Sequence, residues 1–474
     1  MKLSPISAKP GDSFTNDTTV RDTIAAEDCR DVVHNMLTGK LPLDEDVLAS
    51  FAADEVEDLC RNSALISEDA EGRIARFNKK EIIVGHTLGQ GGYSTVCEIS
   101  AVNLLRSKSE KSGADQFGTA LRKANSSKKC FKTLDTIGQN GEKNQLTSMG
   151  KELQNSDFGW DECDMMDQIH DRNLIAKHCI REGKARYAIK MLHSSYSTNK
   201  KQHFNGIIDL AVETRFLAYI RHPNVVRMRA MSMGDPYKSG FFIVMDRLYD
   251  TLSTRIPIWA AEHKKNKRLL RKWRGGVMAN RLLWSRRLVV ILDIASVLKY
   301  LHSMNVLYRD LKPENLGFDL KGNIKLFDFG LAVELRPEDR LKDGTYRIPK
   351  GGTLRYMPPE IAKKKPCNCS SDVYSFGVLM WSILALEIPF KGFTADKHAE
   401  LVMNRHVRPK IPSVWPADLK SLLPKCWSEK ISDRPTFEAI DESLLQLFND
   451  APGQMNNGGL RECSLSSSIC SSRH

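Results

Sequence analysis

The spacing of apolar and polar positions divides the chain into segments of different character. The lead is polar and rich in Ser, Thr and Asp. Val47, Leu48, Phe51, Val56 and Leu59 then recur among acidic residues, a pattern that predicts a helix with one apolar stripe. From Glu81 the period shortens. Ile82-Ile83-Val84 reads as a strand, a glycine-rich turn follows, and a second strand comes after it. Strand chemistry resumes at Ala185 and runs to Leu192. The intervening stretch, about 105–183, is rich in Lys, Ser and Asn and turns acidic between Asp161 and Asp167. A compact domain seldom carries so long a structureless loop, so this stretch is expected to be a mostly disordered insertion. Ile207 to Ile220 has helical spacing, and Phe242 to Leu248 reads as a strand running into a linker. Leu288 to Leu301 is the most apolar run, but Asp293, Ser296 and Lys299 interrupt it at helical spacing, so it predicts a buried helix. Ser371 to Trp381 is a second such helix, with Asp372 as its single acid. No run approaches the length needed to span a bilayer. After Asp450 the tail is rich in Gly, Asn and Ser and is expected to be disordered.

A length of 474 residues exceeds one compact core and suggests two domains, or a bilobal domain with extensions. The formal net charge of +12 favours acidic partners and nucleotide phosphates, but no nucleic-acid partner is predicted from it. Part of the excess lies in a dense cluster, Lys264, Lys265, Lys267, Arg268, Arg271, Lys272 and Arg274, with Trp259 and Trp273 nearby. This region, about 255–283, is expected to be a second, basic insertion. A solvated helix face is preferred for it over a nuclear-localisation or anionic-partner patch. The 11 cysteines are scattered and odd in number. With no apolar signal segment between Met1 and Asp12, they read as reduced thiols, and the expected location is cytoplasmic, with a nuclear pool allowed by the basic cluster. Cys367 and Cys369 lack the further ligands of a zinc set.

The chemistry concentrates in Tyr308-Arg309-Asp310-Leu311-Lys312-Pro313-Glu314-Asn315 and in Asp328-Phe329-Gly330. Phosphoryl transfer from a metal-bound nucleotide needs oxygen donors for Mg²⁺ and a carboxylate that orients the attacking hydroxyl. The two stretches resemble the catalytic loop and metal-binding turn of eukaryotic protein kinases. On that resemblance Asp310 is the base, Lys312 neutralises charge on the γ-phosphoryl group, and Asn315 and Asp328 bind the metal. Lys312, two residues after Asp310, resembles serine/threonine kinases. Leu88-Gly89-Gln90-Gly91-Gly92-Tyr93-Ser94-Thr95-Val96 resembles the phosphate-covering loop, with Ser94 where the third glycine is usual. Because this turn leads into a strand and not a helix, it argues against a dinucleotide-binding fold. Ala188 and Lys190 resemble the end of the V-A-I-K strand, where the lysine meets the α- and β-phosphates. Glu213 is its expected helix partner, and Asp209 is the competing acid. Met245 would stand at the back of the adenine pocket, and the backbone from Asp246 to Leu248 would meet the adenine edge.

Gly352 to Glu360 resembles the end of an activation segment, where Thr353 is expected to hydrogen-bond Asp310 and Lys312. Thr345 and Tyr346 are candidate activating phosphosites, since Arg309 precedes the base. Asp372 is expected to anchor the catalytic-loop backbone, and Arg434 to pair with Glu360. The Cys426-Trp427 and Arg434-Pro435 motifs resemble the tyrosine kinase-like group of serine/threonine kinases. Two residues depart from the pattern. Gly317 replaces a bulky apolar residue under the adenine ring, and Phe327 is larger than usual before Asp328.

The resulting expectation is an α+β, bilobal protein kinase-like fold: a small antiparallel sheet lobe with one main helix, and a larger, mostly helical lobe. Its boundaries are an N-terminal extension at 1–79, a kinase domain at 80–447 and a Ser-rich tail at 448–474. The small lobe is 80–247 and the large lobe 248–447. The expected function is Mg²⁺/ATP-dependent serine/threonine phosphorylation of protein substrates in signalling, under an unknown upstream activator. A pseudokinase scaffold is the rival, disfavoured because Lys190, Glu213, Asp310, Lys312, Asn315 and Asp328 are all retained. A dual-specificity enzyme is a weaker third reading.

Overall fold

The computed structural model describes residues 37–38, 44–60, 63, 71–105, 171–193, 200–270, 275–349 and 351–449. The first half is built on a six-stranded sheet. Its strands are β1 (Ala75–Phe77), β2 (Ile82–Gln90), β3 (Ser94–Val102), β6 (Tyr187–Leu192), β7 (Met228–Ser232) and β8 (Phe242–Asp246), in the order β1-β7-β8-β6-β3-β2. A two-stranded ribbon of β4 (Ile180–Arg181) and β5 (Lys184–Ala185) precedes β6. Strand alternation separates two faces. Cys97, Ile189, Val244 and Ala230 lie buried on one, in a cluster with Ala75, Phe77, Ile175 and Cys179. Ala188, Met245 and Met228 are buried on the other, in the main core, together with the apolar side of a long helix.

Three expectations change here. The sheet is mixed and not purely antiparallel, because β1 pairs with β7 in parallel through Ala75↔Ala230 and Phe77↔Ser232. The domain therefore starts before residue 80, and α1 (Glu45–Cys60) also packs into the main core through Leu48, Ala52 and Val56. The expected 105–183 insertion is shorter at its far end. Residues 171–177 form a helix, α2, whose Ile175 covers the sheet, while Arg172 reaches the buried Glu81 at 2.8 Å. The remainder of that stretch, 106–170, lies outside the described residues.

The main helix of the sheet region is α3 (Lys200–Tyr219). Gly206 inside it fits a close approach, because a Cβ there would lie 2.8 Å from the Cβ of Tyr93 in the glycine-rich turn. After β8 the chain becomes mainly helical, with β9 (Asp250–Thr251), β10 (Val306–Leu307), β11 (Leu316–Phe318), β12 (Ile324–Leu326) and β13 (Val333–Glu334) as short strands between helices.

The predicted basic insertion is instead two long helices, α4 (Leu252–Leu270) and α5 (Gly275–Ser303). Trp259 and Leu283 are buried, while Lys264, Lys265, Lys267 and Arg268 are exposed, so α4 carries a solvated basic face. Arg271, Lys272, Trp273 and Arg274 lie outside the described residues. The run Leu288 to Leu301 falls within α5, as its pattern predicts. Almost every residue of α6 (Ser370–Ala385) is buried, which follows from a helix apolar on all sides. Against it packs α7 (Ala417–Cys426), while α8 (Phe437–Asn449) packs on α5 and meets α6 where the Phe437 ring stands 5.2 Å from that of Phe376. Phe448 lies within α8, so the expected tail boundary at 448 moves outward, and 450–474 lie outside the described residues. No described helix is long and apolar enough to cross a membrane.

Candidate active site

Strand register assembles the first half of the site. Gly89 pairs with Val96, Val96 with Lys190 and Lys190 with Ile243, forming one row across β2, β3, β6 and β8. Ala188 lies two residues from Lys190 on the same face and pairs with Met245. Between β2 and β3 the turn Gly91-Gly92-Tyr93 is closed by Gly91 N–H donating to Ser94 O at 2.8 Å. Leu88, at the edge of the turn, is 38% exposed.

From β6 the Lys190 ammonium reaches two carboxylates. Its Nζ lies 2.5 Å from Glu213 Oε2 on α3 and 2.9 Å from Asp328 Oδ1. Burial alone would lower the lysine pKa, but Asp328 and Glu213 outweigh it and raise it above its ordinary value. Lys190 in turn is the main cause that holds the Asp328 carboxyl below the usual range. The rivalry between two acids is settled by this geometry: Glu213 pairs with the lysine. Asp209 instead packs on the turn after Asp328, where a Cβ on Gly330 would lie 3.0 Å from its own Cβ. Phe329 is fully buried, with its ring 5.3 Å from that of Tyr308 and 6.4 Å from that of Phe216 on α3.

The second half is the loop between β10 and β11. Asp310 is the centre of a dense set of donors. Lys312 Nζ lies 2.5 Å from its Oδ2, Asn315 Nδ2 donates to its backbone and side-chain oxygens at 3.0 Å each, and Thr353 Oγ1 donates to Oδ1 at 2.7 Å. Thr353 bonds Asp310, as expected, and Lys312 spends its ammonium on the same carboxylate. Asp372, buried in α6, accepts the backbone N–H groups of Tyr308 at 2.8 Å and Arg309 at 2.9 Å. That grip holds Arg309 at φ 72°, a left-handed conformation uncommon for a side-chain-bearing residue. Asp328 is likewise left-handed, at φ 67°.

Oxygen donors suit a hard divalent cation, and Asn315 and Asp328 supply them from an amide and an ionised carboxylate. Asn315 turns its NH₂ toward Asp310, which directs its carbonyl oxygen elsewhere. Among the described residues no group of three or more His, Cys, Asp or Glu could hold a metal by itself. A cation held by this pair would need phosphate oxygens or water to complete its shell.

Further braces lacked a sequence signal. His302 Nε2 lies 3.0 Å from Asp372 Oδ2, and Tyr308 Oη donates to Phe327 O at 2.6 Å. His193 steadies the glycine-rich turn, with Nδ1 2.5 Å from Thr95 Oγ1 and Nε2 3.2 Å from Gly91 O. Leu248, expected only to lend backbone to an adenine edge, leans over Gly317. Its Cδ1 would lie 2.6 Å from a Cβ there. Asp246, in the same linker, is held by Arg229 through bonds of 2.7 and 2.8 Å. Arg309 donates from Nη1 to Leu331 O at 3.1 Å and from Nη2 to Pro349 O. Of the candidate phosphosites, Thr345 Oγ1 donates to Asp343 at 2.6 Å, and Tyr346 is pinned by a backbone bridge to Cys367.

A family model described as protein tyrosine and serine/threonine kinase matches residues 150–444, more than half of the chain. The chain belongs to that family. The kinase domain is 38% identical over 149 residues to the serine/threonine/tyrosine-protein kinase HT1 of Arabidopsis thaliana, covering 31% of this chain and 37% of that one. Similarity to the serine/threonine-protein kinase CTR1 of the same plant extends over 316 residues at 27% identity, or 66% of this chain and 35% of CTR1. The dual specificity protein kinase shkB of Dictyostelium discoideum is 32% identical over 166 residues, 35% of this chain and 25% of shkB. The aligned stretches thus span between a quarter and two-fifths of these relatives' lengths.

Proposed function

We propose that the protein is a protein serine/threonine kinase that uses Mg²⁺ and ATP. The observation that carries this reading is a pair of side-chain sets, Lys190 with Glu213 and Asp328, and Asp310 with Lys312, Asn315 and Thr353, brought side by side where Phe327, next to Asp328, donates its N–H to Asn315 O at 3.1 Å. The sheet region and the helical region would act as two lobes around the nucleotide. Bound Mg·ATP supplies the phosphoryl group and the cation that neutralises its oxygens. The chain's residues then position and polarise. Lys190, oriented by Glu213, presents one ammonium toward the α- and β-phosphates. Asn315 and Asp328 would hold the cation, and the backbone of the Gly89–Ser94 turn would cover the phosphates. Asp310 orients the acceptor hydroxyl and takes its proton, while Thr353 fixes the second carboxylate oxygen. Lys312 offsets charge on the transferred group. Most of the rate gain would come from placement and fixed electrostatics, with no covalent intermediate on the chain.

Lys312 supports serine and threonine as acceptors. Tyrosine is kept as a second acceptor because HT1 and shkB are named for serine/threonine/tyrosine and dual-specificity activity. The deciding experiment follows labelled γ-phosphate from Mg·ATP into a generic protein substrate, for wild type and Asp310→Asn, with phosphoamino-acid analysis. Label on serine or threonine that falls by at least about 10²-fold in the variant is the expected result. Absence of transfer by wild type that still binds nucleotide would favour the scaffold reading, and label on tyrosine alone would overturn the acceptor class.

A further inference from the structure

Outside the residues that face the nucleotide, α1 makes contacts that a mere N-terminal extension does not require. Leu48, Ala52 and Val56 are at most 1% exposed and share a buried cluster with Phe204, Ile207, Leu210 and Ala211 of α3. These positions follow the i, i+4, i+8 spacing of one helical stripe. Glu213, on the same α3, is the residue that meets Lys190. Beyond α3, each end of α1 is tied to a different part of the domain. At its start, Asp46 Oδ1 lies 2.7 Å from Lys238 Nζ, and Glu45 accepts from the backbone of Ser239 at 3.4 Å, both in the loop between β7 and β8. Toward its end, Asp58 O accepts from Arg336 at 3.4 Å, and Ser63 just beyond it donates to Glu334. Glu334 and Arg336 lie four and six residues past Gly330 of the Asp328-Phe329-Gly330 turn. Arg215, two residues past Glu213, is gripped from the same side by Tyr237 Oη at 2.9 Å and Glu71 at 3.7 Å.

We propose that Leu48, Ala52 and Val56 are positioning residues for phosphoryl transfer, holding α3 so that Glu213 stays on Lys190 while the end of α1 secures the segment after Asp328. The physical argument is one of leverage. A lysine–carboxylate contact of 2.5 Å tolerates little displacement, yet its carboxylate rides on a helix set off from β6 and β7 by the connections 193–199 and 220–227. The exposed ion pair at Asp46 contributes little by itself. The buried apolar stripe supplies the adhesion, and the polar contacts at its two ends set the angle at which α1 lies. The inference rests on the kinase reading above and deepens it: the catalytic unit begins at α1 and not at the sheet.

The test is a double-mutant cycle in the full chain between Leu48→Ala/Val56→Ala and Glu213→Gln, reading kcat/KM and the Kd of Mg·ATP. Positioning through Glu213 predicts a loss of about 10-fold in kcat/KM in the wild-type background and under about 2-fold when Glu213 is already Gln. A merely structural role predicts equal proportional losses in both backgrounds, and that result overturns the proposal, as does no loss at all. Should wild type bind Mg·ATP without transferring phosphate, the kinase reading fails separately, and the cycle in Kd still reads the coupling, with the same two patterns deciding it. If circular dichroism shows the double alanine variant unfolded, Val56→Thr, nearly equal in volume, takes its place in the cycle.

Discussion

Asp209 sits on the face of α3 that meets the Gly330 turn, and its carboxyl is pushed up to about 7, by burial first and by the charge of Asp328 second. The ordinary value is 3.8, so the fold prefers the protonated form. Stability from that preference is complete below the ordinary value and is lost as the pH rises through about 7. Asp209→Asn keeps the shape without the charge. Its advantage over wild type is expected to grow between about pH 4 and pH 7 and to level off above that, reaching a few kcal/mol at most, at about 1.4 kcal/mol per pKa unit. Urea unfolding of both proteins across that range measures it, and parallel stability–pH curves would refute it. The sequence presented Asp209 and Glu213 as rivals, and spacing favoured Glu213, the acid that reaches Lys190. What spacing could not show is where the other carboxyl goes, because its neighbour is a glycine more than a hundred residues away. Gly317 illustrates the same limit. The missing side chain was visible in the sequence, but the Leu248 side chain that leans into its place was not.

Between elements, one buried joint is the fork of Arg434 onto Glu360, with Nη1–Oε1 at 2.6 Å and Nη2–Oε2 at 2.9 Å. Ser371 Oγ adds a bond of 2.7 Å to the same carboxylate, so one buried acid ties the end of the activation segment to α6 and to the start of α8. Arg434→Met leaves Glu360 buried with its main cation gone, which is expected to cost about 3–5 kcal/mol. Denaturant midpoints at unchanged m-value are the measure, and a change below about 1 kcal/mol would show the pair to be dispensable. This joint was readable in advance because both residues lie in short motifs with fixed neighbours. The helix and strand runs were readable for a different reason: their periodicity reports which face is buried. Where the reading slipped, composition had spoken louder than periodicity. Lysine and arginine on the outer face of α4 suggested an insertion, while Trp259 on its inner face makes α4 part of the core. Strand β1 gave almost no signal, since three residues are too few to establish alternation, and its parallel pairing with β7 comes from chain crossing rather than from local pattern.

At the scale of the whole molecule, the domain reaches further along the chain than its catalytic motifs. The outer face of the sheet closes over Phe77 of β1 and Ile175 of α2, two residues separated by 106–170 in the sequence and brought into one buried cluster. Arg172 strengthens that closure by pairing with Glu81, which is itself 1% exposed. Two deletions therefore separate the cover from the chain before it. Removal of 110–178 takes away Arg172 and Ile175, while removal of 110–165 spares them. The longer deletion is expected to be less stable than the shorter one by about 2–5 kcal/mol, the cost of stripping a large buried aliphatic side chain from a packed core. It also leaves the carboxylate of Glu81 without its cation. Thermal and urea unfolding of the two proteins, compared with each other, read that difference directly. Equal stabilities would mean that α2 rests on the sheet without holding it. A deficit confined to the longer deletion would place the boundary of the folding unit at α2, and would make the sheet's outer cover, like α1 on the opposite side, a part of the domain that the catalytic motifs do not announce.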